Sequence, residues 1–543
     1  MFAKARWRGL TAVSFLCLAP AAGAQSVAAG PAVTPGTAED FLREAPRIRP
    51  DNTPLPSITP RPLIPPRLKA QVHVNGVVFS GNTLYTQEQL QAISRPFLKP
   101  VMSLADIQAL AEHITERMHA DGYLVASAAV PAQKIKDGLV RIDILEGRLE
   151  SLRIIGNQRY SDERITSYLA PLQAEPALTD KALERSLLLL NELPGVTARG
   201  TLAPGQQYGQ TNLDVEISER RFRAAAGLNN YGSPELGRAR ADLSLDFYNP
   251  LRIGDHANLR LIESQDSRLG LGRIGYDFAI APAWRVSLAA ARIDYRVAGA
   301  FSALQLSGNS LTRDANLAYA WVRSRGTSLT ISGGARDVRT YQEALGQSLG
   351  GLHVRAGYTT LSGYTTYGGG LTSGLATITS NGRGQTSPGT AGDGIRLKSE
   401  LDVTHARPLV GDFEISQRVA LALSPAALPD TEKFSLGGPD SVRAFPIAQL
   451  RGDEGFLSVT EVRRRFRFYD TQSYVGVFFD YGAMRLRQPM LPAYRDSLSG
   501  AGVTASVTHE HVRLKLDLAR AISSDKAADG HRARVWLSAT WLF

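Results

Sequence analysis

The chain has 543 residues, a formal charge of +10 and one cysteine, Cys17. That excludes disulfides and cysteine-ligated metal centres, and no dense Lys/Arg tract marks a nucleic-acid partner. After Ala24 no apolar run reaches the roughly 18 residues that a membrane-crossing helix needs, so any membrane span must be built from strands, which hydropathy does not reveal.

Residues 1–24 read as a secretory signal peptide. Lys4, Arg6 and Arg8 precede an apolar run over Leu10–Ala22, and Ala22-Gly23-Ala24 fits the small-x-small cleavage rule. Cleavage there removes Cys17 and makes Gln25 the first mature residue. Residues 25–70 are a proline-rich linker, with prolines recurring from Pro31 to Pro66. They deny this stretch a sheet or a long helix and favour an extended tether. The segment is either linker throughout or carries one short plug helix over Thr37–Ala45, capped by Thr37 with Asp40 in its first turn.

An internal repeat follows. Gly81-Asn82, Tyr85-Thr86, Glu88 and Leu90 recur as Gly156-Asn157, Tyr160-Ser161, Glu163 and Ile165, all at an offset of 75 residues, and Val140 and Ile142 find Val215 and Ile217 at the same offset. A period this long means tandem small domains, here over residues 71–147 and 148–220. Each copy reads β-α-α-β-β. In the first, Val72–Phe79 alternates as a strand, Thr86 caps one helix, and Ser103 caps another bearing Ile107, Leu110, Ala111, Ile114 and Met118. Gly122 ends that helix, and strands near Leu124–Val130 and Leu139–Leu145 close the unit. In the second, Thr179 caps a helix with Leu183, Leu187 and Leu190, and Leu193-Pro194-Gly195-Val196 breaks it into a strand.

From 221 to 543 helical periodicity gives way to alternation. Ala241, Leu243, Leu245 and Phe247 oppose Asp242, Ser244 and Asp246; Val512, Leu514, Leu516 and Leu518 oppose Arg513, Lys515 and Asp517; Phe413–Leu423 follows the same rule. Charges on the second face of so many strands suit a water-filled lumen, and closure removes the sheet edges that lipid does not tolerate. Allowing about 20 residues per strand and connection, the segment makes an antiparallel outer-membrane β-barrel of about 16 strands. The final strand keeps Val535, Leu537, Ala539, Trp541 and Phe543 on its lipid-facing parity, with Trp541 and Phe543 as the terminal barrel signal.

Sharper patterns lie further along. Phe434-Ser435-Leu436-Gly437-Gly438-Pro439-Asp440-Ser441-Val442-Arg443-Ala444-Phe445 resembles the FxLGGxxSVRG(F/Y) loop of the two-partner secretion transporters (TpsB), the haemolysin and filamentous-haemagglutinin secretion group, and Phe478-Phe479-Asp480-Tyr481-Gly482 resembles their FxDxG strand. The tandem units resemble POTRA domains, and Leu190–Val196 is similar to the second of that family. Alternation alone puts Val475, Val477 and Phe479 outward and Gly476, Phe478 and Asp480 in the lumen, where a carboxylate beside small Gly476 and Gly482 can accept a bidentate guanidinium. The resemblance implies that the loop folds back into the pore and that Arg443 bonds Asp480. The family's glycine after the arginine is Ala444 here, which would be strained only if that position needs a positive φ.

The resemblance implies an outer-membrane transporter whose periplasmic POTRA pair recognises an unfolded exoprotein, haemolysin- or adhesin-like, and secretes it through the barrel without ATP. It implies outer-membrane lipid and the barrel-assembly machinery as further partners, with no nucleic acid, cofactor, metal or catalytic residue. An assembly insertase of the same superfamily and a plain porin are the alternatives; the former usually carries more POTRA units, and the repeat argues against the latter. Gly270-Leu271-Gly272-Arg273-Ile274-Gly275 matches a dinucleotide fingerprint, but strand-like Tyr276–Ile280 follows it where a helix is required. His509 and His511 read as sharing a strand face with Arg513, Lys515 and Asp517, which makes them lumen polarity rather than metal ligands.

Overall fold

The computed structural model describes residues 57–58, 71–206, 209–381, 396–468, 470–487, 492–523 and 527–543. The signal peptide, the Thr37–Ala45 helix and most of the linker lie outside the described residues.

The described part of the linker is β1 (Ser57–Ile58), which pairs in parallel with Thr201 and Leu202. The prolines were expected to exclude any strand here. They limit it instead: between Pro56 and Pro60 only three residues lie, two of which form the strand, and a proline-flanked edge needs to present few amides.

In the first unit the expected strand over Val72–Phe79 is broken in two. β2 (Gln71–His73) pairs with β4 (Val101–Ser103), and β3 (Gly76–Ser80) pairs in parallel with β6 (Leu139–Leu145). The chain changes partners at Val74 and Asn75, whose amides donate to the carbonyls of Pro100 and Gly138. The strand expected near Leu124–Val130 is shorter, β5 (Ser127–Ala129), antiparallel to β6. Against this sheet lie α1 (Gln87–Ser94) and α2 (Leu104–Ala120), and α2 buries Ile107, Leu110, Ala111, Ile114 and Met118. Thr86 and Ser103 each form a capping box. At Ser103 the hydroxyl and amide both donate to Asp106, holding its carboxyl down at about 2 against an ordinary 3.8. A folded value below the unfolded one means that the contribution is fully present above the ordinary value and is lost as pH falls toward the depressed one. Asp106→Asn is therefore expected to lower the unfolding midpoint at pH 7, with the gap from wild type closing between pH 4 and about pH 2; a constant gap across that range would refute the assignment.

The second unit comprises β7 (Arg148–Ile155), α3 (Asp162–Ala174), α4 (Asp180–Asn191), β8 (Val196–Pro204) and β9 (Gln210–Glu219). β9 is central, parallel to β7 and antiparallel to β8. The repeat has a physical reason. Gly81 and Gly156 adopt φ of +74° and +90°, and a Cβ there would come within 2.7 and 2.5 Å of the carbonyl oxygens of Ile144 and Ile217. The next residue stitches the turn: the Asn82 amide donates to Tyr85 O at 2.6 Å, and the Asn157 amide to Tyr160 O at 2.9 Å.

Sixteen antiparallel strands then close a barrel. They are β10 (Phe222–Asn229), β11 (Arg240–Tyr248), β12 (Asp255–Ser264), β13 (Leu269–Ala281), β14 (Trp284–Arg296), β15 (Ser307–Arg323), β16 (Thr327–Ala344) and β17 (Gln347–Tyr367), followed by β18 (Gly370–Asn381), β19 (Arg396–Pro408) and β20 (Phe413–Leu423). After a short hairpin, β21 (Phe434–Leu436) and β22 (Leu450–Gly452), the wall resumes with β23 (Glu454–Phe468), β24 (Thr471–Leu486), β25 (Tyr494–His509), β26 (Val512–Ala521) and β27 (Ala533–Leu542). Closure runs through β10 and β27, with Ala226 opposite Trp541. Phe543 is exposed, and its backbone amide donates to Ala224 O at 2.9 Å. The outward parity is apolar and exposed, as at Ile274, Ile378, Val477, Val535 and Leu537. Gly270–Gly275 lies within β13, between β12 and β14.

The second unit docks on the strand turns beneath it. Arg164 and Arg185 donate to the carbonyls of Ala279 and Ala320, Arg285 donates to Glu192 O, and Arg323 pairs with the Glu192 carboxylate.

Candidate functional site

Residues 424–453 join β20 to β23, and they fold into the lumen instead of away from it. The β21–β22 hairpin is the stem. Beyond it Gly437 and Gly438 take φ of +104° and +103°, and the tip is closed by Gly438 N donating to Phe445 O (3.0 Å), Gly437 N to Ser441 Oγ (3.2 Å) and Phe445 N to Val442 O (3.1 Å). A Cβ on Gly437 would meet Pro446 O at 2.1 Å. Gly437→Ala is therefore expected to cost 1–3 kcal/mol of local strain, on the order of an unfavourable backbone conformation. Faster protease cleavage within 434–452 in that variant is the readout, and unchanged cleavage would contradict it.

The tip is seated on apolar side chains. Leu436, Val442, Ala444 and Phe445 are buried against Leu457, Phe478, Met484 and Leu498. A lumen wet throughout was expected from strand charges; at this level it is a packed core, because the loop brings its own apolar residues. Small residues on the wall make room: a Cβ on Gly482 would lie 2.6 Å from Leu436, and one on Gly500 2.6 Å from the Ala444 methyl. Ala444 is fully buried and is not among the residues with positive φ, so alanine fits here without strain.

This packing delivers Arg443, 3% exposed, to Asp480, 0% exposed. Nε and Nη2 donate to the two carboxylate oxygens at 2.9 and 2.8 Å, and the Arg443 backbone amide adds a third bond at 3.0 Å. Nη1 donates to Glu461 at 3.0 Å and lies 3.6 Å from Asp517. The guanidinium carbon sits 3.2 Å from the centre of the Phe478 ring, and Trp536 Nε1 donates to Arg443 O at 2.7 Å. The site can therefore clasp a loop through a forked, charge-assisted contact inside a dry seat.

The structure thus brings together Arg443, Asp480, Gly437, Gly438, Ser441, Val442, Ala444, Phe445, Phe478 and Gly482, and leaves Trp541 and Phe543 apart on the outer seam. Sequence reasoning missed Glu461, Asp517 and Trp536 as partners of Arg443. Asp517 and Glu461 had inward parity as their signal, but only strand register shows that they converge. His509 and His511 need correction: β25 ends at His509, Glu510 turns the chain at φ +46°, and β26 starts after His511. They flank a hairpin turn and do not share a strand face. Among the described residues no group of three or more His, Cys, Asp or Glu could hold a metal ion.

Two family models match the chain. The ShlB-type POTRA domain covers residues 72–147, and the haemolysin secretion/activation protein ShlB/FhaC/HecB covers residues 209–507, more than half of the sequence. The chain belongs to the ShlB/FhaC/HecB family. This TpsB-type transporter is 26% identical over 84% of its length to the heme/hemopexin transporter protein HuxB of Haemophilus influenzae, covering 84% of that protein. It is 21% identical to the outer membrane transporter CdiB of Escherichia coli, over 70% of this chain and 67% of that one. The solved structure of CdiB from Escherichia coli superposes with a TM-score of 0.74 at 18% identity, covering 89% of this chain and 93% of that one, and CdiB from Acinetobacter baumannii with 0.65 at 16%, covering 93% and 95%. Those two likenesses speak to the fold. As a ShlB/FhaC/HecB member the protein is a two-partner secretion transporter of the outer membrane, with its POTRA domains in the periplasm.

Proposed function

We propose that this transporter exports one unfolded exoprotein, haemolysin- or adhesin-like, without ATP, and that the seated loop is the element that must yield for passage. The observation that carries the reading is the Arg443 cluster: a loop threaded into the lumen and held by three carboxylates on three different strands obstructs the path and can be released as a unit. Folding of the partner outside would bias transport outward. Residues 71–147 and 148–220 act as the two periplasmic receptor domains. Sheet edges such as β3 and β5 offer main-chain partners to an extended segment. Trp541 and Phe543 serve as the signal read by the barrel-assembly machinery, and the outward apolar band meets lipid. No catalytic step is assigned to any residue.

The test is reconstitution. The purified mature chain in liposomes, with its exoprotein partner added unfolded and no nucleotide present, should carry that protein into a protease-protected state. Protection that appears only with ATP would end the proposal.

A further inference from the structure

Above the apolar band, the lipid-facing surface of the barrel is lined with arginines. β14 starts at Trp284, beside Ala283, which packs against the periplasmic second unit. On its outward parity come Leu288, then Arg292 and Asp294. Arg292 lies eight residues beyond Trp284, a height on the order of 20 Å for a tilted strand, near the far rim of an apolar band of roughly 25 Å. The same change occurs on the neighbouring strands. Exposed Leu317 on β15, Ile331 on β16 and Leu361 on β17 give way on the same face to Arg313, then to Asp337 and Arg339, then to Arg355 and His353. Cross-strand register places Arg313 opposite Asp337, Asp337 opposite Arg355, and Arg339 opposite His353.

These side chains form a fixed array. Arg292 holds Asp294 through Nε and Nη2 at 2.8 and 2.9 Å. Asp337 gathers Arg339 at 3.2 Å, His353 at 2.6 Å and Arg355 at 3.4 Å. The Arg292, Arg339 and Arg355 side chains stay 65, 53 and 72% exposed. Three guanidiniums therefore hold two carboxylates, with Arg313 opposite Asp337 in register, and the four arginines leave an excess of positive charge on an outward wall, where charge is costly unless a counter-ion meets it.

We propose that the outward arginine patch of β14–β17 binds the phosphate groups of lipopolysaccharide in the outer leaflet. Guanidinium matches phosphate in shape and charge, and it does so bidentately. The patch lies at the rim of the apolar band, where the headgroup phosphates of an outer-leaflet lipid meet the wall, and Asp294 and Asp337 aim the cations. The bound lipid would brace the wall that faces away from the β10–β27 seam.

The test uses the full-length protein in detergent, with lipopolysaccharide, its enzymatically dephosphorylated form and inorganic phosphate as probes. Wild type should bind the phosphorylated lipid at least about tenfold more tightly than the dephosphorylated one. The combined Arg292→Gln, Arg313→Gln, Arg339→Gln, Arg355→Gln variant should lose that preference while keeping the heat-modifiable gel mobility of a folded barrel. Arg355→Gln alone, more exposed than Arg292 or Arg339, should weaken binding several-fold and serves if the combined variant does not fold. Equal affinity for the two lipids, or a preference retained in the variants, overturns the proposal. So does millimolar inorganic phosphate displacing the lipid completely, which would mark a free-anion site.

Discussion

Arg443→Ala is expected to cut partner secretion by about tenfold or more while leaving the barrel assembled. The wall does not need Arg443: β23 and β24 pair along their whole length, from Glu454–Arg485 to Phe468–Thr471. The loop does need it. Removing the guanidinium leaves Asp480, Glu461 and Asp517 facing one another in a seat where two of them are fully buried. Breaking a buried ion pair by deleting one partner costs about 3–5 kcal/mol, enough to unseat a tip otherwise held by four apolar side chains and the backbone bonds of residue 443 to Asp480 and Trp536. The carboxylates rank the other variants. Asp480→Asn should be milder, because Glu461 and Asp517 still neutralise the cation. Arg443→Lys should fall between, because an ammonium cannot fork across two oxygens. The double Arg443→Ala, Asp480→Asn variant should recover part of the seating by removing one orphaned charge, a coupling that a double-mutant cycle reads directly. Export assay, gel mobility and planar-bilayer conductance separate secretion from assembly. Wild-type export by Arg443→Ala would remove the loop from the mechanism.

Deleting residues 72–147 is expected to reduce secretion to background with the barrel still in the membrane. The first unit has its own core, from Val74 through Leu110 and Ile114 to Ile144. The second packs around Ile165, Leu169, Leu187 and Val215, and it is the second that grips the barrel turns through Arg164, Arg185 and Glu192. Loss of the first unit therefore keeps these grips on the barrel turns and removes the surface with β3 and β5 at its sheet edges, the one proposed to receive the exoprotein. Domains of this size are marginal by themselves, so the deletion should be checked by protease resistance of the remaining second unit. Undiminished export from a properly inserted deletion protein would show that recognition does not need the first unit.

The units and the barrel were legible because each rests on local rules. Capping at Thr86, Ser103 and Thr179 follows from a hydroxyl meeting a free helical amide, and the structure has all three. The outward placement of Val475, Val477 and Phe479, with Phe478 and Asp480 inside, follows from the two-residue period of a strand. Errors came where the chain changed partners or direction. The Val72–Phe79 strand splits because Val74 and Asn75 bond to Pro100 and Gly138, residues far along the chain. The histidines separate because parity does not survive a turn, here the one at Glu510.

What the sequence determined by itself, then, was periodicity: which residues face lipid, which face inward, where helices start, and that one unit is copied 75 residues later. Only the tertiary structure decided what converges. Glu461, Asp517 and Trp536 meet Arg443 because three separate strands bring them to one level of the lumen, and strand register is set by long-range pairing that no local pattern encodes. The same holds for the lipid-facing arginines, scattered over more than sixty residues of sequence and gathered into one patch by the closure of the wall.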